Sequence, residues 1–177
     1  MANPFFEKPL SLKGNGKPRC LHSRVLQSPL AGVSDKVFRA LVRRWSKDSL
    51  LFTEMVNATS LEMGHGRCKV ESLADESGPI GVQLFDHRPQ AMADAARRAE
   101  ASGAFLIDIN MGCPVRKIAR KGGGSGLIRD PELAIRIVEA VAGAVAVPVT
   151  VKTRLGWCGS DADPVLWCKQ LERAGAQ

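Results

Sequence analysis

Between Asp108 and Gly126 the sequence reads Asp-Ile-Asn-Met-Gly-Cys-Pro-Val-Arg-Lys-Ile-Ala-Arg-Lys-Gly-Gly-Gly-Ser-Gly, and the side chains best suited to chemistry gather there. Cys113 is followed by Pro114, which fixes the backbone, and then by Arg116, Lys117, Arg120 and Lys121, with no acid before Asp130. Such a positive field favours a thiolate or a bound anion. Gly122, Gly123, Gly124 and Gly126 let the backbone approach a ligand closely. A plainer role suits the same residues, because free cysteine is among the most buried residue types and a glycine run can be only a flexible loop.

A strand must carry this stretch to solvent. Phe105–Ile109 is apolar and partly β-branched and turns polar at Asn110, as a strand does where it leaves a core. Four similar runs are expected as strands: Val25–Leu30, Leu50–Val56, Ile80–Phe85 and Val147–Lys152. Helices are expected between them. One, capped by Ser34, would turn Val37, Phe38, Leu41, Val42 and Trp45 inward and Lys36, Arg39, Arg43, Arg44 and Lys47 to solvent. Another runs from Arg88 to Ser102 with Met92, Ala95, Ala96 and Ala99 buried and Gly103 as its stop. A third has Asp130 as cap, Pro131 at its first position and Leu133, Ile137, Val138 and Val141 as its stripe. The last, capped near Asp161 or Asp163, carries Val165, Leu166, Cys168 and Leu171 and ends at Ala174–Gly175.

Strands alternating with helices imply a parallel α/β sheet. Gln83, Asn110 with Cys113, and Lys152 with Arg154 fall at or beyond the carboxyl ends of successive strands. Contributions from so many strands favour a (β/α)8 barrel over a doubly wound sheet, and no Gly-x-Gly-x-x-Gly follows the first strand. The 177 residues fall short of the roughly 250 of a closed barrel, so the expectation is a barrel truncated after about five βα units. Residues 1–23 are expected as a leader, with a possible strand pair, and 24–177 as the N-terminal portion of the barrel.

Composition agrees with one globular domain, at 45% hydrophobic and 24% charged residues. No apolar run approaches the roughly 18 residues of a membrane span and the start lacks a signal peptide's pattern, which points to the cytoplasm. Five cysteines, Cys20, Cys68, Cys113, Cys158 and Cys168, show no Cys-x-x-Cys pair, and His22, His65 and His87 have no partners at metal spacing. Free thiols and no metal are expected. Residues 1–50 hold ten Lys or Arg against three acids, a surplus equal to the net charge of +7 of the whole chain. That asymmetry fits a polyanionic partner, the alternative being a merely solubilising surface. Oligomeric state is not legible.

Five stretches in order, Ser28–Asp35, Thr53–Met55, Gly81–Gln83, Asp108–Pro114 and Val149–Trp157, resemble the tRNA-dihydrouridine synthases over about residues 24 to 177. The resemblance implies an FMN-dependent (β/α)8 barrel that reduces uridines of tRNA to 5,6-dihydrouridine, with NADPH reducing the flavin. It places Pro29, Leu30 and Ala31 against the flavin ring, Gln83 and Lys152 on its polar edge, and Cys113 as proton donor to the uracil. Asn110 and Arg154 would help hold flavin or base. The family's later His, its Gly-Arg flavin-phosphate segment and its C-terminal helical tRNA-binding domain have no counterpart here.

The residue chemistry is compatible with those roles. Reducing the C5=C6 bond of uracil takes a hydride at C6 and a proton at C5 from the opposite face, which Cys113 could supply as a thiol. Lys152 would stabilise negative charge on the reduced ring. Arg116, Lys117, Arg120 and Lys121 would grip tRNA phosphates. Glu54 could touch flavin or substrate or only satisfy loop amides, and Trp157 and Trp167 suit core or interface positions. Two alternatives stay open: an FMN barrel acting on a free pyrimidine, like the dihydroorotate dehydrogenases, and an inactive RNA-binding fragment.

Overall fold

A computed structural model describes residues 8–157 and 163–177. The described residues open with an antiparallel hairpin, β1 (Leu10–Leu12) and β2 (Arg19–Leu21). Its turn is tied down: the Gly16 N–H donates to Ala146 O at 2.9 Å, and the Asn15 amide donates to Ala142 O at 2.6 Å. Leu21 forms a small apolar cluster with Leu50, Phe52 and Leu106, against which Leu10, Leu12 and Phe105 pack.

The expected parallel sheet is present. In it β3 (Leu51–Phe52), β5 (Ile80–Phe85), β6 (Leu106–Asn110) and β7 (Val149–Lys152) lie side by side, and β4 (Val56–Asn57) also pairs with β5. The run expected as one strand over Leu50–Val56 is thus two short pieces. The Gln83 N–H, which would meet a backbone carbonyl in an unbroken ladder, reaches the Thr53 hydroxyl at 3.3 Å. The strand expected at Val25–Leu30 contributes one parallel bridge, Leu26 to Leu50.

Two long helices cover one face of the sheet. Pro89–Ala101 (α4) buries Met92, Ala95, Ala96 and Ala99 as its spacing predicts, and Gly103 with φ +94° turns the chain out of it. Small alanines let α4 lie close to its neighbour, Pro131–Ala144 (α6), which buries Ile137, Val138 and Val141 and is capped by the Asp130 carboxylate on the Leu133 N–H at 3.0 Å. Both meet outward residues of the sheet such as Val82, Ile107 and Ile109 in one core. Among the described residues four shorter α-helices precede the last: α1 (Lys36–Trp45), α2 (Ala58–Glu62), α3 (Cys68–Glu71) and α5 (Arg116–Ala119).

Two helices differ from expectation. The cap of α1 is Asp35, which accepts from the Phe38 N–H at 2.8 Å; the Ser34 hydroxyl is turned back on Leu30. Of the stripe expected inside, Val37, Leu41 and Trp45 face solvent, Val37 76% and Trp45 87% exposed, and Phe38 and Val42 are half-buried, while Arg39 is 3% exposed. Arg39 can be buried because Glu76 takes its guanidinium in two hydrogen bonds and Ser34 O takes a third at 2.7 Å. Arg43 likewise donates to the carbonyls of Lys47, Ser49 and Pro79, closing the turn that follows the helix. In the last helix, α7 (Pro164–Arg173), Asp163 is the cap, and Trp167 and Leu171 are buried whereas Val165, Leu166 and Cys168 are exposed. The Trp167 ring N–H donates to the Thr153 hydroxyl at 3.1 Å, a polar anchor that Val165 cannot make.

Candidate active site

Strand register assembles the site. Gln83 pairs with Asp108 and Asp108 with Thr150, while Asn110 pairs with Lys152 two residues further on. Side chains alternate along a strand, so Asp108, Asn110, Thr150 and Lys152 share the sheet face opposite the helices. The Gln83 amide N–H donates to Asp108 Oδ2 at 2.6 Å and the Thr150 hydroxyl to Asp108 Oδ1 at 2.7 Å. Asp108 and Thr150 had no role in the sequence reading, since only the pairing of three strands brings them to Gln83.

Burial raises the Asp108 carboxyl to about pH 6, against hydrogen bonds from Gln83 and Thr150 and the Lys152 charge. Because the folded pKa lies above the unfolded one, this group stabilises the fold fully below about pH 4, and that contribution is lost as pH rises through about 6. A rise of about two units is worth at most about 3 kcal/mol. Asp108→Asn should therefore be the more stable protein at pH 7, with an unfolding midpoint that falls less than wild type's between pH 4 and 7. Urea titrations at several pH values check this, and parallel wild-type and variant profiles would contradict it.

Cys113 sits half-buried just past β6, in a loop held from three directions. Asn110 Oδ1 accepts the N–H of Cys113 at 2.9 Å and of Gly112 at 3.2 Å. The Arg154 Nε donates to Gly112 O at 2.6 Å, and the Ser125 N–H donates to Cys113 O at 3.0 Å. Gly124, at φ +55°, permits that last approach, because a Cβ there would lie 2.9 Å from Cys113 O. Four sequence-derived residues, Gln83, Asn110, Cys113 and Arg154, are thus linked, and Lys152 joins them through its carbonyl, which accepts the Met111 N–H at 2.8 Å.

On the sheet face that carries Asp108 and Thr150 is a cavity of about 410 Å³ lined by Pro29, Phe52, Leu106, Asp108, Thr150 and Lys152 among others. Apolar walls with a cation and hydroxyls at one rim suit a planar aromatic ring with a polar edge, which is the character of a flavin. Pro29 lines the cavity; Leu30 and Ala31 are exposed beside it. The Ser34 hydroxyl fixes this segment by bonding both N–H and O of Leu30, at 2.9 and 3.1 Å. Gln83 is 2% exposed, its amide spent on Asp108 and Asn110. Glu54 satisfies a loop amide: the Gly32 N–H at 2.6 Å, ahead of Lys69 at 3.1 Å, holds its carboxyl below the usual range.

A second cleft, of about 650 Å³, flanks the Cys113 loop and is lined by Thr59, Asp86, His87, Arg88, Lys117 and Lys121 among others. Burial opposes ionisation of Asp86, but the Thr59 hydroxyl and the N–H groups of Thr59, His87 and Arg88 outweigh it and hold the carboxyl below the usual range. Asp86 therefore stays ionised, with the Arg88 Nε 3.8 Å from its Oδ1. Lys117 and Lys121, one turn apart, make no ion pair among the described residues and leave the cleft cationic; Arg116 and Arg120 are exposed nearby. The His87 ring is half exposed, its Nδ1 3.2 Å from Asp86 Oδ1. Among the described residues no group of His, Cys, Asp or Glu could hold a metal, and Cys20, Cys68, Cys113 and Cys168 are free thiols; Cys158 and Asp161 lie outside those residues. No helix among them is long and apolar enough to cross a membrane. Trp157 lies under the Arg129 guanidinium, 5.2 Å from the ring centre.

A family model described as dihydrouridine synthase matches residues 26–177. A probable tRNA-dihydrouridine synthase 1 of Synechocystis sp. is 54% identical over 157 residues, covering 89% of this chain and 44% of that protein. A tRNA-dihydrouridine synthase B of Pseudomonas aeruginosa is 39% identical over 161 residues, covering 90% and 48%. The chain spans about half the length of these curated relatives. Among solved structures, morphinone reductase in complex with tetrahydroNAD superposes with a TM-score of 0.62 at 17% identity, covering 98% of this chain and 72% of that one. That likeness is one of fold, and it identifies the parallel strands and their helices as units of a (β/α)8 barrel.

Proposed function

The chain belongs to the dihydrouridine synthase family, and from that premise we propose that it carries the residues by which uridine in tRNA is reduced to 5,6-dihydrouridine in the cytoplasm. The observation that carries this reading is the Cys113 loop, held by Asn110 and Arg154, with Asn110 paired in register to Lys152, which lines the cavity. Pro29 and the apolar wall would lie against FMN, with Leu30 and Ala31 contributing backbone, Gln83 supporting from below and Lys152 meeting the polar edge. FMN, once reduced by NADPH, would supply the hydride taken up at C6 of the uracil. The Cys113 thiol would deliver its proton to C5 as negative charge develops there. Lys152, at a strand end where its charge already acts on Asp108, would offset anionic charge on the bound ring. Arg154, drawn against the Cys113 loop, stands where it can orient the base.

The cationic cleft favours tRNA over a free pyrimidine, which would need only a small closed anion pocket. FMN-loaded protein given NADPH should raise the mass of tRNA lacking dihydrouridine by two hydrogens and leave free uridine unchanged. Reduction of free uridine at a comparable rate would move the assignment to the free-pyrimidine class, and no flavin binding would leave the inactive RNA-binding reading. Arg116 and Arg120 would contact phosphates beside the cleft. Replacing both with Gln should lower the log–log salt slope of tRNA binding by about two, with flavin content unchanged. An unchanged slope would return the pair to a solubilising surface.

A further inference from the structure

We propose that Asp108 is a positioning residue that sets the orientation of the Cys113 loop through a one-way relay of hydrogen bonds. The argument starts from donor and acceptor capacity. An ionised carboxylate can only accept, so the Gln83 side chain must turn its NH2 toward Asp108, as it does at 2.6 Å. The Gln83 carbonyl oxygen then points the other way and can only accept, so Asn110 must offer its own NH2, at 2.9 Å. This turns Asn110 Oδ1 toward the loop, where it accepts the N–H groups of Gly112 and Cys113 at 3.2 and 2.9 Å. Gln and Asn amides have two faces that packing alone distinguishes poorly; here each is fixed by the one before it, and the chain ends at the backbone of the reactive cysteine.

Two features make Asp108 the origin. It is the acceptor-only member of the chain, and the Thr150 hydroxyl at 2.7 Å holds its other oxygen, so the carboxylate cannot rotate to release Gln83 without losing a second partner. Gln83 and Asp108 are both buried, so water does not substitute for either. Were the Gln83 amide reversed, its oxygen would face the carboxylate and its NH2 would face that of Asn110, which would have to reverse in turn. The Asn110 NH2 would then oppose the Gly112 and Cys113 N–H groups, and the loop would lose its anchor.

Amide hydrogen exchange of the Gly112 and Cys113 N–H groups, read by NMR, tests this without flavin or tRNA. Asp108→Leu removes the origin and should speed exchange at both positions about tenfold, while α4 and α6 amides exchange as in wild type. Asp108→Asn should retain wild-type exchange, because its oxygen can accept from Gln83 while its NH2 donates to a rotated Thr150 hydroxyl. Gln83→Met, which cuts the relay in its middle and keeps the carboxylate, should match Asp108→Leu and covers the case in which that variant fails to fold. Wild-type exchange at Cys113 in both Asp108→Leu and Gln83→Met would overturn the relay. So would acceleration in Asp108→Asn equal to that in Asp108→Leu, since it would assign the effect to the charge. A further consequence rests on the reading of Cys113 as the acid: in the holoenzyme Asp108→Leu should lower kcat for tRNA with KM unchanged. Altered exchange with unaltered kcat would overturn the role of Cys113 and leave the relay standing.

Discussion

Cys113→Ala is expected to lower the rate of uracil reduction by about 10² to 10⁴, the usual worth of a general acid. Hydride arriving at C6 leaves negative charge at C5 and O4, and without a positioned thiol that charge must wait for water. The loss belongs to a group used in the transition state, so it should appear in kcat rather than in tRNA affinity. The fold should be untouched. The contacts that hold the loop are made by the Cys113 backbone, its N–H to Asn110 and its carbonyl from Ser125, and alanine keeps both. Flavin content and NADPH-driven flavin reduction should match wild type as well, because Cys113 does not line the apolar cavity. Steady-state turnover on tRNA and the flavin absorbance of the two proteins check both halves of the expectation.

The largest expected effect on stability comes from Arg39→Ala. Arg39 is buried on α1 and meets Glu76 through Nε at 2.9 Å and through Nη2, with Nη1 on Ser34 O at 2.7 Å. Glu76 is nearly buried too, its side chain 8% exposed. Alanine would leave a carboxylate in a poorly solvated place and a carbonyl without its donor, a loss of about 3 to 5 kcal/mol. Removing both charges should cost less than removing the cation alone, since no uncompensated carboxylate remains. Urea unfolding of Arg39→Ala, Glu76→Gln and the double variant measures this. Additive losses would mean that the pair is not coupled.

The same pair explains where sequence reading stopped. Periodicity located α1 and its two faces, but a pattern states only that an apolar face exists and not what covers it. Arg39 is on the polar face by type and inside by position because Glu76, 37 residues later, neutralises it. Helices α4 and α6 were legible because alanine spacing, a proline at the first turn and an aspartate cap are local signals. Trp167 displaced Val165 and Leu166 from the interior of α7 through a hydrogen bond to Thr153, again a partner outside the element.

Of the site, the strand-end positions of Asn110, Cys113, Lys152 and Arg154 followed from where apolar runs turn polar. Asp108 did not, since it falls inside Phe105–Ile109, a run legible only as an apolar strand; pairing with Gln83 on one side and Thr150 on the other makes it the centre of a network. Lys117 and Lys121 were read as part of one basic loop with Arg116 and Arg120. The single turn of α5 divides them, turning the two lysines into the cleft beside His87.

The measurement that bears most directly on this account is a single turnover. Holoenzyme containing this chain is reduced with NADPH, freed of excess reductant without oxygen, and mixed with tRNA lacking dihydrouridine while flavin absorbance is followed. Wild type should reoxidise with one dihydrouridine formed per flavin. Cys113→Ala should bind the same tRNA and hold the same flavin but reoxidise about 10² to 10⁴ times more slowly. Equal rates in the two proteins, or a variant that no longer holds flavin, would show that Cys113 is not the acid of this site.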